Sequence, residues 1–231
     1  MERNLSHTIR LLLAGTIFLF STGSAWAFTF DTDVPADIQT QMTTDLGFMN
    51  GIQGSATSPL HQQIYGSVSG TDYAKFFSSH VTAVGLNDCG DKNAVACVIP
   101  FFDSSKMWIT QNYIKFSHPQ VARLMVVFHE ARHTEDAQSN WPHANCPTPF
   151  LDDAGHDMVS IWTGASLAGR PACDSTPFGS YGSSTILLKN LSKNCSNCSE
   201  KVKLDAGMYA DDQIGRITSA QAKSDIKKDI F

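Results

Sequence analysis

Apolar and polar positions alternate along the chain in two rhythms, and the change of rhythm divides it. Over residues 31–50 ("DTDVPADIQTQMTTDLGFMN"), Ile38, Met42, Leu46 and Met49 recur at helical spacing, with Pro35 suited to a first turn. "SPLHQQIYG" repeats the start signal at Ser58-Pro59 for one short helix, and "TDYAKFFSSHV" reads as a third helix capped by Thr71. The texture then becomes β-branched and aromatic. "AVACVIPFF" and "KMWITQNYIKF" predict two strands of a hairpin that turns at Asp103-Ser104-Ser105.

Helical spacing returns at "SHPQVARLMVVFHEARHTEDAQ". Ser117 and Gln120 have the spacing of a capping box, and Pro119 lies in the first turn. Val121, Leu124, Met125 and Phe128 form one apolar stripe, which Val126 and Val127 extend around the axis; a helix apolar on most sides is buried. It is expected to run to about Gln138 and to stop before Pro142. Residues 140–182 are rich in Pro, Gly, Asp and Ser, and a loop of that length in a compact domain is usually functional or stapled. Three more helices are expected in "GSSTILLKNLSKN", "EKVKLDAGMYADDQIGRI" and "SAQAKSDIKKDIF". The pattern predicts an α+β, mostly helical single domain, with a small β-hairpin or sheet before a buried helix and a disulfide-stapled loop region.

The first 30 residues have a different logic. Arg3 and Arg10 precede the apolar run "LLLAGTIFLF", and "AWA" at 25–27 supplies the small residues that a signal peptidase requires. The run is short for a membrane span. The expectation is a cleaved signal peptide over 1–27, a domain over 28–231, and a secreted or periplasmic protein without stable membrane association. The segment beyond Ala27 carries 15 basic and 21 acidic residues, which argues against nucleic acid or anionic membranes as partners. Nothing in the chain bears on its oligomeric state.

All six cysteines lie beyond the leader, and an even count in an exported chain implies disulfides. Proximity favours Cys89–Cys97 and leaves Cys146–Cys173 to close the long loop. Cys195 and Cys198 in "NCSNC" are expected as a local disulfide. A redox pair lacks its sequence context, and a zinc site lacks a second CxxC.

The chemistry concentrates in "VVFHEARHTED". Residues four apart share a helix face, so His129 and His133 can present imidazole nitrogens to one ion about 2.0–2.1 Å away. Glu130 is rotated by roughly one hundred degrees from His129, out of ligating position but within reach of a water at the ion. Two ligands and one general base is what this spacing supplies. Such polar residues on a core helix need partners.

This helix resembles the active-site helix of the zincin metallopeptidases, and "KMWIT" resembles the edge strand on which those enzymes lay an extended substrate. The likeness covers roughly residues 95–143 and is specific only in HExxH. Metzincins continue with a glycine three and a histidine six residues after the second histidine; here Asp136 and Ser139 stand there. Gluzincins take a glutamate from a later helix, and the only one far downstream is Glu200, in a polar stretch. The resemblance implies a zinc-dependent endopeptidase acting on a protein or peptide, with Zn2+ as cofactor and Glu130 as the catalytic base.

The third ligand has three candidates. His143, in "NWPHANC", follows the helix closely enough for a short return loop, with Pro142 setting the exit and Trp141 placed to cover the site from water. Asp174 follows Cys173 and precedes Tyr181-Gly182, a loose likeness to the aspzincins, whose ligating aspartate shortly precedes a Tyr-Gly pair. His156 is the third. The choice falls on His143, and a Cys146–Cys173 bond would bring Asp174 near enough to orient it. Tyr181 is a candidate oxyanion stabiliser, Asp136 a support for His133, Arg132 a partner for a buried carboxylate, and Tyr209 a core residue. The alternative to an enzyme is a non-catalytic exported helical module stabilised by metal and disulfides.

Overall fold

The computed structural model describes residues 26–231, so the expected leader lies outside the described residues except for its last two positions. Strand β1 (Thr29–Phe30) leads into helices α1 (Ala36–Asn50), α2 (Pro59–Tyr65) and α3 (Gly70–His80). Strands β2 (Ala83–Leu86) and β3 (Ala96–Ile99) follow, then a turn of helix α4 (Pro100–Asp103), β4 (Ser104–Ile109) and α5 (Gln111–Lys115). Helix α6 (Gln120–His133) carries the histidine motif. Beyond it come short strands β5 (Ala144–Asn145) and β6 (Pro171–Cys173), then helices α7 (Ser180–Asn194), α8 (Glu200–Gly215) and α9 (Ala220–Ile230). The α+β, mostly helical reading holds.

The helix starts follow local hydrogen bonding, with two corrections. Ser58 caps α2 as expected, but α3 starts two residues earlier than a Thr71 cap requires, and Ser69 accepts from the Asp72 amide instead. The capping box at Ser117 is not formed, because Gln120 Nε2 donates to Asp45 Oδ1, 3.0 Å away on α1. Arg123 pairs with the same carboxylate, its Nε 2.6 Å from Asp45 Oδ2. The start of α6 is thus fixed by a buried ion pair to α1 and not by its own sequence.

The sheet order is β1-β2-β4-β3, with β3 antiparallel to β4 and the other pairs parallel. The hairpin is therefore present, but its two strands exchange the expected places. "KMWIT" is interior, with Met107 and Ile109 fully buried, and the edge is β3. Strand β2, which the sequence reading passed over, covers the other flank of β4. Helix α6 lies in the main core with Tyr73, Phe76 and Phe77 of α3 around Phe128. All three expected disulfides are present: Cys89–Cys97, Cys146–Cys173 and Cys195–Cys198.

Candidate metal centre

Helix α6 ends at His133, several residues short of the expected Gln138. A single 3-10 turn follows, and then Ser139, Asn140 and Trp141 all adopt left-handed backbone, with φ of 53°, 60° and 46°. Three such non-glycine residues in a row are unfavourable unless other contacts hold them. Here they reverse the chain, and Pro142 and His143 come back over the end of α6.

What holds the reversal is Glu135. Its partly buried carboxylate pairs with Arg132, accepts from Trp141 Nε1 at 2.6 Å, and faces His80 Nε2 at 3.0 Å. Burial opposes the charge on Glu135, but the His80 and Trp141 hydrogen bonds and the Arg132 charge outweigh it and lower its pKa. Arg132 also donates to the Phe178 carbonyl at 2.6 Å and lies over the Trp141 ring. Arg132 does pair with a carboxylate, though a partly buried one. Trp141, expected as a cover for the site, instead braces the turn on its far side. Asp136 does not touch His133; it accepts from Asn140 Nδ2 at 2.9 Å and from Ser104.

The return brings three imidazoles together. Nε2 of His129 lies 3.2 Å from Nε2 of His143 and 3.3 Å from Nε2 of His133, and the His133–His143 separation is 3.1 Å. Tetrahedral bonds of about 2.0–2.1 Å to one ion would separate their nitrogens by about 3.3–3.4 Å, so the triangle is the right size for three ligands with a fourth position open. The remaining nitrogens are committed elsewhere. His133 Nδ1 faces the Asn140 carbonyl at 2.8 Å, and His143 Nδ1 faces Asp174 Oδ1 at 3.0 Å. His129 has a backbone hydrogen bond to Ser180. His133 and His143 thus donate through Nδ1, since a carbonyl and a carboxylate can only accept, which leaves their Nε2 lone pairs converging on Nε2 of His129.

Burial, and then the neighbouring histidines, hold the pKa of His129 well below its ordinary value. Burial and His143 lower His133 to about 4. Three neutral imidazoles sharing one point fit a metal cation, and the cluster can hold one. Of the other proposed ligands, Asp174 supports His143 from behind, whereas His156 is exposed and pairs with Asp152, far from the cluster.

Asp174 is fully engaged. Besides His143, it accepts the Tyr181 amide at 2.7 Å and the Gly182 amide at 3.2 Å through Oδ2, at the start of α7. Its own amide donates to the Arg216 carbonyl, and its carbonyl accepts from Thr218. Gly179 makes room for it: a Cβ there would lie 2.4 Å from Asp174 Oδ2. The adjacent Cys173 is bonded to Cys146, which follows His143 closely in sequence. One disulfide therefore joins the ligand's strand to the strand of its support.

Glu130 is buried in the same wall, and Oε2 has no hydrogen-bond partner among the described residues. Burial raises its pKa to about 8. The Tyr181 ring stacks on His143 with centroids 4.6 Å apart and meets the His129 ring at 4.5 Å. Its hydroxyl accepts from Arg216 Nη1 at 3.0 Å. A cleft of about 480 Å³ opens onto these groups, bounded on one side by edge strand β3 and on the other by Tyr181 and Arg216. Sequence reasoning missed Glu135, Gly179 and Arg216, none of which lies in a motif.

Compared with known proteins, the chain matches no family model, no curated protein and no solved structure. Its likeness to the zincins stands on HExxH and on the residues around it alone.

Proposed function

We propose that the protein is an exported zinc-dependent endopeptidase. The observation that carries this reading is the convergence of three Nε2 atoms within 3.1–3.3 Å of one another, with the unpartnered carboxylate of Glu130 in the same wall. A metal site that only braces a fold has no use for a buried carboxylate without a partner, so Glu130 favours catalysis over the non-catalytic alternative.

His129, His133 and His143 hold the zinc. When bound, it supplies Lewis acidity, polarising the scissile carbonyl and lowering the pKa of a water to about 7. With a cation in the cluster to offset the burial that raises its pKa, Glu130 is kept ionised, so that it accepts a proton from the attacking water and returns it to the leaving amine nitrogen as the C–N bond breaks. Asp174 holds His143 through Nδ1–H and thereby fixes its tautomer and ring orientation. Because Arg216 donates to the Tyr181 oxygen, the Tyr181 proton is free to point at a carbonyl oxygen as it becomes negative. The free backbone of β3 offers hydrogen bonds to an extended peptide, the role first read for "KMWIT".

Export follows from the leader-like N-terminus and from three disulfides, which form and persist in oxidising compartments. No helix among the described residues is long and apolar enough to cross a membrane. The test is metal dependence: the purified chain should contain one zinc and cleave members of a broad peptide library. Chelation should abolish cleavage and zinc should restore it. A metal-free chain that cleaves at full rate would exclude the proposal.

A further inference from the structure

The arginines packed into the fold, the partly buried Arg123 and the buried Arg132 and Arg216, differ in one respect. Arg123 spends its guanidinium on Asp45 and the His118 carbonyl. Arg132 spends its own on Glu135 and the Phe178 carbonyl. Arg216 is only 6% exposed and makes one side-chain hydrogen bond among the described residues, to the Tyr181 hydroxyl. A guanidinium carries five N–H donors. Its Nε, like that of Arg132, is buried without a partner; what sets Arg216 apart among the described residues is that no carboxylate reaches it at hydrogen-bonding distance, Asp212 standing 3.8 Å from Nη2.

Position makes this shortage informative. Arg216 lines the cleft opposite β3, beside the histidine cluster, and its charge acts on His129. A cation there works against the binding of a second cation. On one side Arg216 covers the Tyr181 ring, which His143 stacks against as well, so the ring uses one face of the guanidinium and not its N–H edge. Asp212 is a poor counterion: burial raises its pKa even with Arg216 near. Gln213, one turn before Arg216 and also in the cleft wall, has a buried Oε1 with no partner. This wall is therefore built with polar capacity that the chain itself does not use.

We propose that Arg216 is the recognition site for a substrate carboxylate, either an acidic side chain next to the scissile bond or the C-terminal carboxylate of the peptide. Guanidinium groups favour carboxylates as partners, through charge-assisted N–H···O bonds. Such a pairing also balances the excess positive charge in the wall. The inference rests on the peptidase reading for the identity of its ligand, and its test is a binding measurement that needs no turnover.

The probe is a set of synthetic peptides differing at one position, glutamate against glutamine, each made with a free and an amidated C-terminus. Binding is measured by calorimetry to the zinc-loaded full mature chain carrying Glu130→Gln, which does not consume them. A carboxylate-bearing peptide should bind at least about tenfold more tightly than its amide counterpart, the low end for a charge-assisted hydrogen bond. Preference at the internal position assigns an acidic side chain as the source, and preference at the terminus assigns the C-terminal carboxylate. Arg216→Gln should abolish the preference, and Arg216→Lys should retain part of it. Equal binding of carboxylate and amide peptides would overturn the assignment, and so would a preference that survives in Arg216→Gln. If Arg216→Gln fails to fold, the comparison among peptides on the parent protein still decides. Absence of cleavage by the wild-type chain would count against the peptidase reading and leave this comparison intact.

Discussion

At the scale of single residues, His143 and Asp174 divide the work that a third ligand requires. The imidazole faces the cluster and the carboxylate holds it from behind at 3.0 Å. Loss of the ligand and loss of its support should therefore differ in size. His143→Ala is expected to remove most of the zinc affinity, whereas Asp174→Asn should lower it by about 10–100-fold, the range for a group that orients a ligand. Competition titration against a chromophoric chelator measures both, and the opposite order would make Asp174 the ligand. Gly179→Ala makes the same point without replacing either group. Its new Cβ would lie 2.4 Å from Asp174 Oδ2, so the carboxylate must shift, and zinc affinity should fall while α7 remains folded by circular dichroism.

At the scale of elements, the return after α6 is the part that brings a third imidazole to the two of the helix. Its left-handed residues are held by Glu135, whose partners come from α3, α6 and the turn itself. Glu135→Ala would leave the buried Arg132 guanidinium with only the Phe178 carbonyl as a hydrogen-bond partner among the described residues, a loss of about 1–3 kcal/mol by the usual cost of a buried polar group short of its partner. Denaturant unfolding should show it, with zinc affinity falling in parallel; unchanged stability would mean that the turn is held by something else. Helix packing has its own acid-sensitive point at His61 of α2. It is fully buried, with Nε2 2.9 Å from the Tyr73 hydroxyl and Nδ1 2.9 Å from the Gly66 carbonyl. Burial lowers its pKa from 6.5 to about 4, so the unfolded chain binds a proton that the folded chain refuses. The stability it contributes is full above pH 6.5 and declines as the pH falls towards about 4, by about 3 kcal/mol in all at 1.36 kcal/mol per unit. His61→Gln should flatten that part of the stability–pH curve, and an identical slope in both proteins would contradict this.

The same scale explains what could be read in advance. The HExxH face, the buried stripe of α6 and the helix starts at Ser58 and Pro35 are local patterns, and each was visible in the sequence. His143 was reachable because Pro142 and the nearby Cys146 lie within a few residues of it. Other features are set by distant partners. The cap at Ser117 lost Gln120 to Asp45, and the end of α6 moved to His133 because Glu135 pulled the chain into its turn. The assignment of the edge strand to "KMWIT" failed for a similar reason: β2 is short and mildly apolar, and without it the hairpin alone cannot say which strand lies outside. Arg216 carried no signal, since its meaning lies in what it fails to touch.

At the scale of the whole molecule, disulfides fix the loops around the cleft while the helices supply the core. Cys89–Cys97 ties the loop that precedes edge strand β3, and Cys146–Cys173 closes the segment between His143 and Asp174. The second should contribute about 3–4 kcal/mol through the loop it closes. The double variant Cys146→Ser with Cys173→Ser should lose that stability and much of its zinc affinity, and the variant's unfolding curves with and without zinc report both. The central claim is that this centre hydrolyses peptides with Glu130 as its base. The direct measurement compares peptide-library cleavage by the wild-type chain and by Glu130→Gln, both brought to one zinc per chain by metal analysis. The account predicts cleavage by the wild type and a rate at least about a hundredfold lower in the variant. Equal rates at equal zinc, or a zinc-loaded wild type that cleaves nothing in the library, would contradict it.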